Sequence, residues 1–137
     1  MQITKTNIEN DWKTIILDLS TTQEERIQAA FHLENTVDET AIKILAEAML
    51  TDPSPIVRHE CAFSLGETAH SKLAAQYLMK AVEEDENIFV RHEALLALGT
   101  LGKEEFIPFV KRFLSSSEPE IAESAEIALQ RIQNTLS

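Results

Sequence analysis

The sequence predicts an all-α protein, a solenoid of about four helical-pair repeats, and three observations predict it. The first is one pattern repeated four times: ERIQAAFHLE (25–34), VRHECAFSLG (57–66), VRHEALLALG (90–99) and IAESAEIALQ (121–130). The segments start 32, 33 and 31 residues apart, each with a small or apolar residue at its fifth place and Leu at its ninth. The second is a further apolar-periodic run after each of the first three, namely AIKILAEAML (41–50), LAAQYLMKAV (73–82) and FIPFVKRFLS (106–115). The third is punctuation: only 3 glycines in 137 residues leave no Gly-rich phosphate loop and disfavour most all-β folds.

Taken in order, a capping helix over about 7–19 covers the first repeat, and repeats follow over about 21–52, 53–85 and 86–116. A closing helix over about 117–135 ends the single domain. Ser54-Pro55 reads as an N-cap with Pro at the first helical position, and Glu118-Pro119 opens the last helix in a similar way. Asp38, Ser71 and Lys103 fall in or beside the short turns that join helices within a repeat. Gly66 and Gly99 stand near helix ends and are expected to supply left-handed C-caps. Arg131 sits near the end of the closing helix, where a cation suits the dipole. The acidic run Glu83-Glu84-Asp85-Glu86 reads as a solvated loop between repeats.

Composition narrows the function. Asp and Glu number 23 against 12 Lys and Arg, a formal charge of −11 that repels phosphate backbones, so neither nucleic acid nor a membrane is expected as a partner. No apolar run approaches the roughly 20 residues that span a bilayer. The start, MQITKTNIENDWK, lacks the basic-then-apolar order of a signal peptide. One cysteine, Cys61, permits no internal disulfide, and the expected location is cytoplasmic.

Two motifs carry possible chemistry. Arg58-His59-Glu60 and Arg91-His92-Glu93 occupy the same place in successive repeats. With Val57 at 0° on a helical wheel, Cys61, Leu65 and Ala62 fall at about 40°, 80° and 140° and define a buried stripe. His59 at about 200° and Glu60 at about 300° then face away from it, and His92 and Glu93 repeat the geometry. Equivalent helices of neighbouring repeats lie about 8–10 Å apart, so two imidazoles leaning together could share one metal ion. Glu60 points about 100° away from His59, so a carboxylate from elsewhere fits that ion better than its own neighbour does. Two imidazoles and a carboxylate suit iron, manganese or zinc. The plainer alternative is a pair of exposed polar dipeptides. Against simple copying of an ancestral repeat, the outer repeats carry Ile27-Gln28 and Glu123-Ser124 at these places. His32 and His70 do not share the register and read as structural or solvated. Cys61 reads as a small buried hydrophobe, and Trp12 as a packing residue.

SPIVRHECAFSLGE, then NIFVRHEALLALGTLG, then IAESAEIALQRIQ together resemble deoxyhypusine hydroxylase over roughly residues 25 to 133. That family is a HEAT-like solenoid of two similar halves, each with two His-Glu motifs. The resemblance implies a HEAT-like fold here. It also implies a non-haem di-iron centre with dioxygen as cosubstrate, hydroxylating a modified lysine on a protein. Carried over residue by residue, His59, Glu60 and His92 are implied metal ligands. Glu93 matches a glutamate implied to contact the substrate amine, and Glu123 matches a family glutamate of unassigned role. The chain departs from the family in holding two motifs rather than four. A homodimer, with two ions per dimer on its two-fold axis, repairs the deficit. In it each ion takes His59 and His92 from one chain and Glu60 from the other. The competing readings are a non-catalytic HEAT module that binds a protein on its concave face, and a chromophore-lyase-type HEAT protein.

Overall fold

A computed structural model describes residues 5–36 and 38–136, with side chains from residue 11 onward, so the first residues of the amino-terminal stretch lie outside what is described. Among the described residues eight α-helices follow in order: α1 (Lys5–Leu17), α2 (Gln23–Leu33), α3 (Glu39–Thr51), α4 (Pro55–Gly66), α5 (Ser71–Glu84), α6 (Ile88–Leu101), α7 (Ile107–Lys111) and α8 (Pro119–Leu136). There is no strand among the described residues, as the all-α reading expects. Helices α2, α4, α6 and α8 pack in sequence as one row, and α1, α3 and α5 form a second.

Local chemistry sets the helix starts. Thr22 and Glu25 form a reciprocal capping box on α2, Asp38 caps α3, Ser54 caps α4 ahead of Pro55, and Asn87 caps α6. Each leaves fewer of the orphan N–H groups of the first turn unsatisfied. Between the rows, the apolar stripe expected from the wheel is the core: Val57, Cys61, Ala62, Leu65, Val90, Ala94, Leu95 and Leu98 are fully buried. His70 stands in its turn at the start of α5. Trp12 packs on the core and stacks on His32, ring centroids 4.2 Å apart.

Four expectations are corrected. Gly66 and Gly99 are not left-handed caps. Gly102, φ 70°, is the left-handed residue that closes α6. The other two are buried where the row is tightest. A Cβ on Gly66 would stand 2.9 Å from the Cβ of Ala97, and one on Gly99 would stand 2.7 Å from the Cα of Ala128. They are small so that α4, α6 and α8 can touch. The run 106–115 is not one helix: a 3₁₀ turn over Glu104–Phe106 leads into the five-residue α7, with Pro108 in its first turn. Arg131 does not serve the end of its own helix. It reaches across to α6, to the carbonyl of Leu96 (3.5 Å) and the hydroxyl of Thr100 (3.3 Å). The acidic run is only partly solvated: Asp85 holds Arg58 while Glu83, Glu84 and Glu86 are exposed.

That pairing belongs to a ladder. Arg26 bonds Asp52 through Nε (2.8 Å), Arg58 bonds Asp85 through Nε (2.9 Å), and Arg91 bonds Glu118 through Nη1 (2.6 Å). Each arginine opens a helix of the first row and holds a carboxylate from the following inter-repeat turn. The first two are fork-like, with a second guanidinium nitrogen on the other carboxylate oxygen at 3.4 and 3.3 Å. Their guanidinium groups also hold backbone carbonyls, Thr21 for Arg26 and Asp52 for Arg58. A buried charge is tolerated only when it is paired and hydrogen-bonded, and these are.

Candidate metal centre

The His-Glu motifs lie in the second turns of α4 and α6, one turn after the N-caps Ser54 and Asn87. Their side chains do not point into open solvent, as the wheel suggested. Helices of one row lie side by side, so a residue on the flank of one meets the next. His59 Nε2 stands 3.3 Å from Glu93 Oε2; the two side chains are 39% and 13% exposed. His92 Nδ1 in turn meets the hydroxyl of Ser124 on α8. The register is regular: each histidine touches the residue at the glutamate place of the following repeat, Glu93 for His59 and Ser124 for His92. Thus His59 is paired with Glu93 rather than with the second histidine.

The electrostatics follow this geometry. The neighbouring Glu93 carboxylate raises the pKa of His59; partial burial opposes that, and the charges of Glu93 and Glu60 add to it. Glu60 is half-buried and has Ile27, not a histidine, at the histidine place of the preceding repeat. Near it lies Glu34, whose carboxyl is pushed up first by its own burial and then by the charges of Glu67 and Glu60. Burial pushes the Cys61 thiol far up, which disqualifies it as a nucleophile or thiolate ligand.

These donors fit a metal ion in kind, though not in number. Two ligands each about 2.0–2.2 Å from one ion stand about 2.8–3.1 Å apart at right angles and about 3.3–3.6 Å apart at the tetrahedral angle. His59 Nε2 and Glu93 Oε2, 3.3 Å apart, reach the lower end of the tetrahedral spacing and are equally at ion-pair distance, so Glu93 serves here as the partner that holds His59. The Ser124 hydroxyl, which meets His92 Nδ1, also donates to the Glu120 carbonyl one turn earlier (2.5 Å). Yet no group of three His, Cys, Asp or Glu side chains that could hold a metal ion converges among the described residues. The described residues of one chain thus bring together too few donors to close a coordination shell.

Beside His92, a cavity of about 300 Å³ opens between α6 and α8, walled by Ile88, Phe89 and Ile127 with Glu120 and Glu123 at its edge. Glu123 is exposed there. Large apolar side chains flank both histidines on their own helices. Ile56 (57% exposed) and Phe63 (41%) lie three and four residues either side of His59, and Phe89 (66%) lies three before His92.

The geometry can be set beside known proteins. A family model for HEAT repeats matches residues 42–130. Deoxyhypusine hydroxylase of Cryptococcus neoformans var. neoformans is 34% identical over 116 residues, covering 82% of this chain and 32% of that protein. Its counterpart from Danio rerio is 32% identical over 121 residues, covering 88% and 39%. The structure of human deoxyhypusine hydroxylase superposes with a TM-score of 0.83 at 31% identity, covering 92% of this chain and 43% of that one. The chain thus spans only 32% and 39% of the length of these two curated relatives. An engineered protein at 21% identity, TM-score 0.58, shares the fold. The repeat pattern, the two helical rows and the family match agree: the chain belongs to the HEAT-repeat family, and over most of its length it resembles deoxyhypusine hydroxylase.

Proposed function

We propose that this chain is a metal-dependent, oxygenase-like protein whose working unit is a homodimer closed over the His-Glu faces of α4 and α6. The observation that carries the proposal is an incomplete shell: donors of the right chemistry stand in register on adjacent helices, and no third group joins them among the described residues. In the dimer, His59 and His92 of one copy and Glu60 of the other hold each ion. Glu60 suits the role because no histidine from its own preceding repeat engages it. Exposed Ile56, Phe63 and Phe89 beside the histidines supply apolar area that a second copy covers. A non-haem di-iron pair supplies dioxygen activation when bound. The chain contributes the rest. His92 is held by Ser124, Glu93 holds His59 and lies where a substrate amine can be received, and the apolar closure excludes water.

The resemblance to deoxyhypusine hydroxylase supports hydroxylation of an amine-bearing side chain as the reaction class. The strongly negative charge suits a cationic substrate, and the buried, reduced Cys61 suits a cytoplasmic setting. The test is iron per chain together with molar mass in solution, by anaerobic sedimentation with and without ferrous iron. A dimer carrying about two irons is expected, with iron lost but helices kept in His92→Ala. A wild-type monomer that takes up no iron sinks the proposal and leaves a HEAT module that binds a protein.

A further inference from the structure

The two histidines are gripped through different ring nitrogens. His59 meets Glu93 through Nε2, whereas His92 meets Ser124 through Nδ1. Ser124 is fully buried on α8, and its hydroxyl is committed to the Glu120 carbonyl one turn earlier. A carbonyl oxygen can only accept, so the serine proton lies on that bond. What remains on Oγ toward His92 is a lone pair, and only a protonated Nδ1 can meet it. The imidazole is half-buried and lines the cavity between α6 and α8 together with Phe89, Glu123 and Ser124.

We infer that Ser124 is a positioning residue: it holds His92 as the Nδ1–H tautomer and so presents the Nε2 lone pair to the open face as a ready ligand. The ligand part of this rests on the metal-centre reading; the tautomer part does not. Free imidazole interconverts between tautomers, so a metal arriving at an unpinned histidine meets Nε2–H part of the time and must displace a proton. A hydrogen bond on the far nitrogen fixes both tautomer and ring orientation. His59 has no such support from α6. The residue at the corresponding place is Glu93, which engages Nε2 itself, so His92 is the better prepared of the two.

The tautomer is read directly by nitrogen-15 NMR of the histidine rings in metal-free protein above pH 7.5, with His92 assigned from His92→Gln. The expected wild-type spectrum shows Nδ1 protonated and Nε2 bare at His92, and Ser124→Ala admits the other tautomer. Alanine keeps the helix and leaves no buried hydroxyl, so the variant folds. Wild-type His92 protonated on Nε2, or a tautomer unchanged in Ser124→Ala, overturns the inference. Titration with Co(II) is the second readout. Ser124→Ala is expected to bind about 10- to 100-fold more weakly than wild type. Equal affinity, despite a changed tautomer, overturns the ligand-presenting role. If wild type binds no Co(II), the metal-centre reading falls on that result, while the spectra alone decide whether Ser124 pins the ring.

Discussion

The first-row helices carry two ladders between repeats, built from adjacent residues, and they differ in almost everything but period. Arg26, Arg58 and Arg91 each hold a carboxylate of the next inter-repeat turn. His59 and His92 each touch the glutamate place of the next helix. The arginine ladder runs through all three junctions. In its first two rungs both partners are nearly buried and every charge is answered within the chain. The histidine ladder occupies only the two middle helices, is half-exposed, and closes on a serine at its far end. Repetition alone therefore does not mark a functional residue. A periodic polar group that is buried and fully paired belongs to the scaffold. One left partly open, with chemistry unspent, belongs to a site.

Neighbouring residues in one turn of α4 test that division. Arg58→Ala leaves Asp85 buried without its partner and is expected to cost about 3–5 kcal/mol by denaturant unfolding. His59→Ala removes a half-exposed pairing and is expected to cost under about 1 kcal/mol while abolishing most iron uptake. Equal stability loss in the two variants would merge the ladders into one structural device. The core sets the scale: Leu98→Ala, at a fully buried position between the rows, is expected to cost about 2–5 kcal/mol through the cavity it leaves.

Gly99→Ala sharpens the same point from the packing side. The added methyl meets backbone at 2.7 Å, which a side-chain rotation cannot relieve. Pushing α6 from α8 also pulls His92 from Ser124, so a loss of about 1–3 kcal/mol should come with weaker metal binding. A stability loss with metal affinity intact would show that the α6–α8 spacing does not govern the site.

The rows, the stripe and the motif helices were legible because apolar period and N-caps are local properties of the chain. Val57, Cys61 and Leu65 declare their face by spacing alone. What was not legible depends on which helix lies next. Glycine serves a left-handed cap and a close approach equally well, so Gly66 and Gly99 could not be told apart from Gly102 without Ala97 and Ala128 in view. Ser124 marked the place where the motif stops; only α8 lying against α6 makes it the partner of His92. The arginine ladder did leave a signal, since Arg26, Arg58 and Arg91 share a place and an acid follows each by 26 or 27 residues. The break at 106–115 was signalled by Pro108.

Cys61 offers a smaller test of scaffold against site. Fully buried beside the motif, with its thiol held far from ionising, it should resist thiol reagents at pH 8 in the folded protein and react promptly in denaturant. Fast labelling of the native state would mean that the motif face opens readily, and would blur the line between the two ladders.

The smallest expected effect separates the ladders by pH. In metal-free protein the pKa of His59 is raised above its ordinary value chiefly by Glu93, whereas the Arg58–Asp85 rung contains no histidine. The folded state thus binds the His59 proton more tightly than the unfolded chain does. The stability this contributes is fully present below the unfolded value of about 6.5 and is lost as pH rises through the folded value. Because His59 is 39% exposed, solvent screening holds the effect below about 1 kcal/mol. Between pH 6 and pH 8.5 the wild type should lose slightly more stability than Glu93→Gln, measured by denaturant midpoints in chelator-treated protein. The difference should shrink in high salt, as an exposed pairing does. Asp85→Asn, by contrast, should lower the midpoint by the same amount at both pH values. If Glu93→Gln instead shows the steeper pH dependence, the His59–Glu93 contact does not hold a proton, and the half-open ladder has to be explained without it.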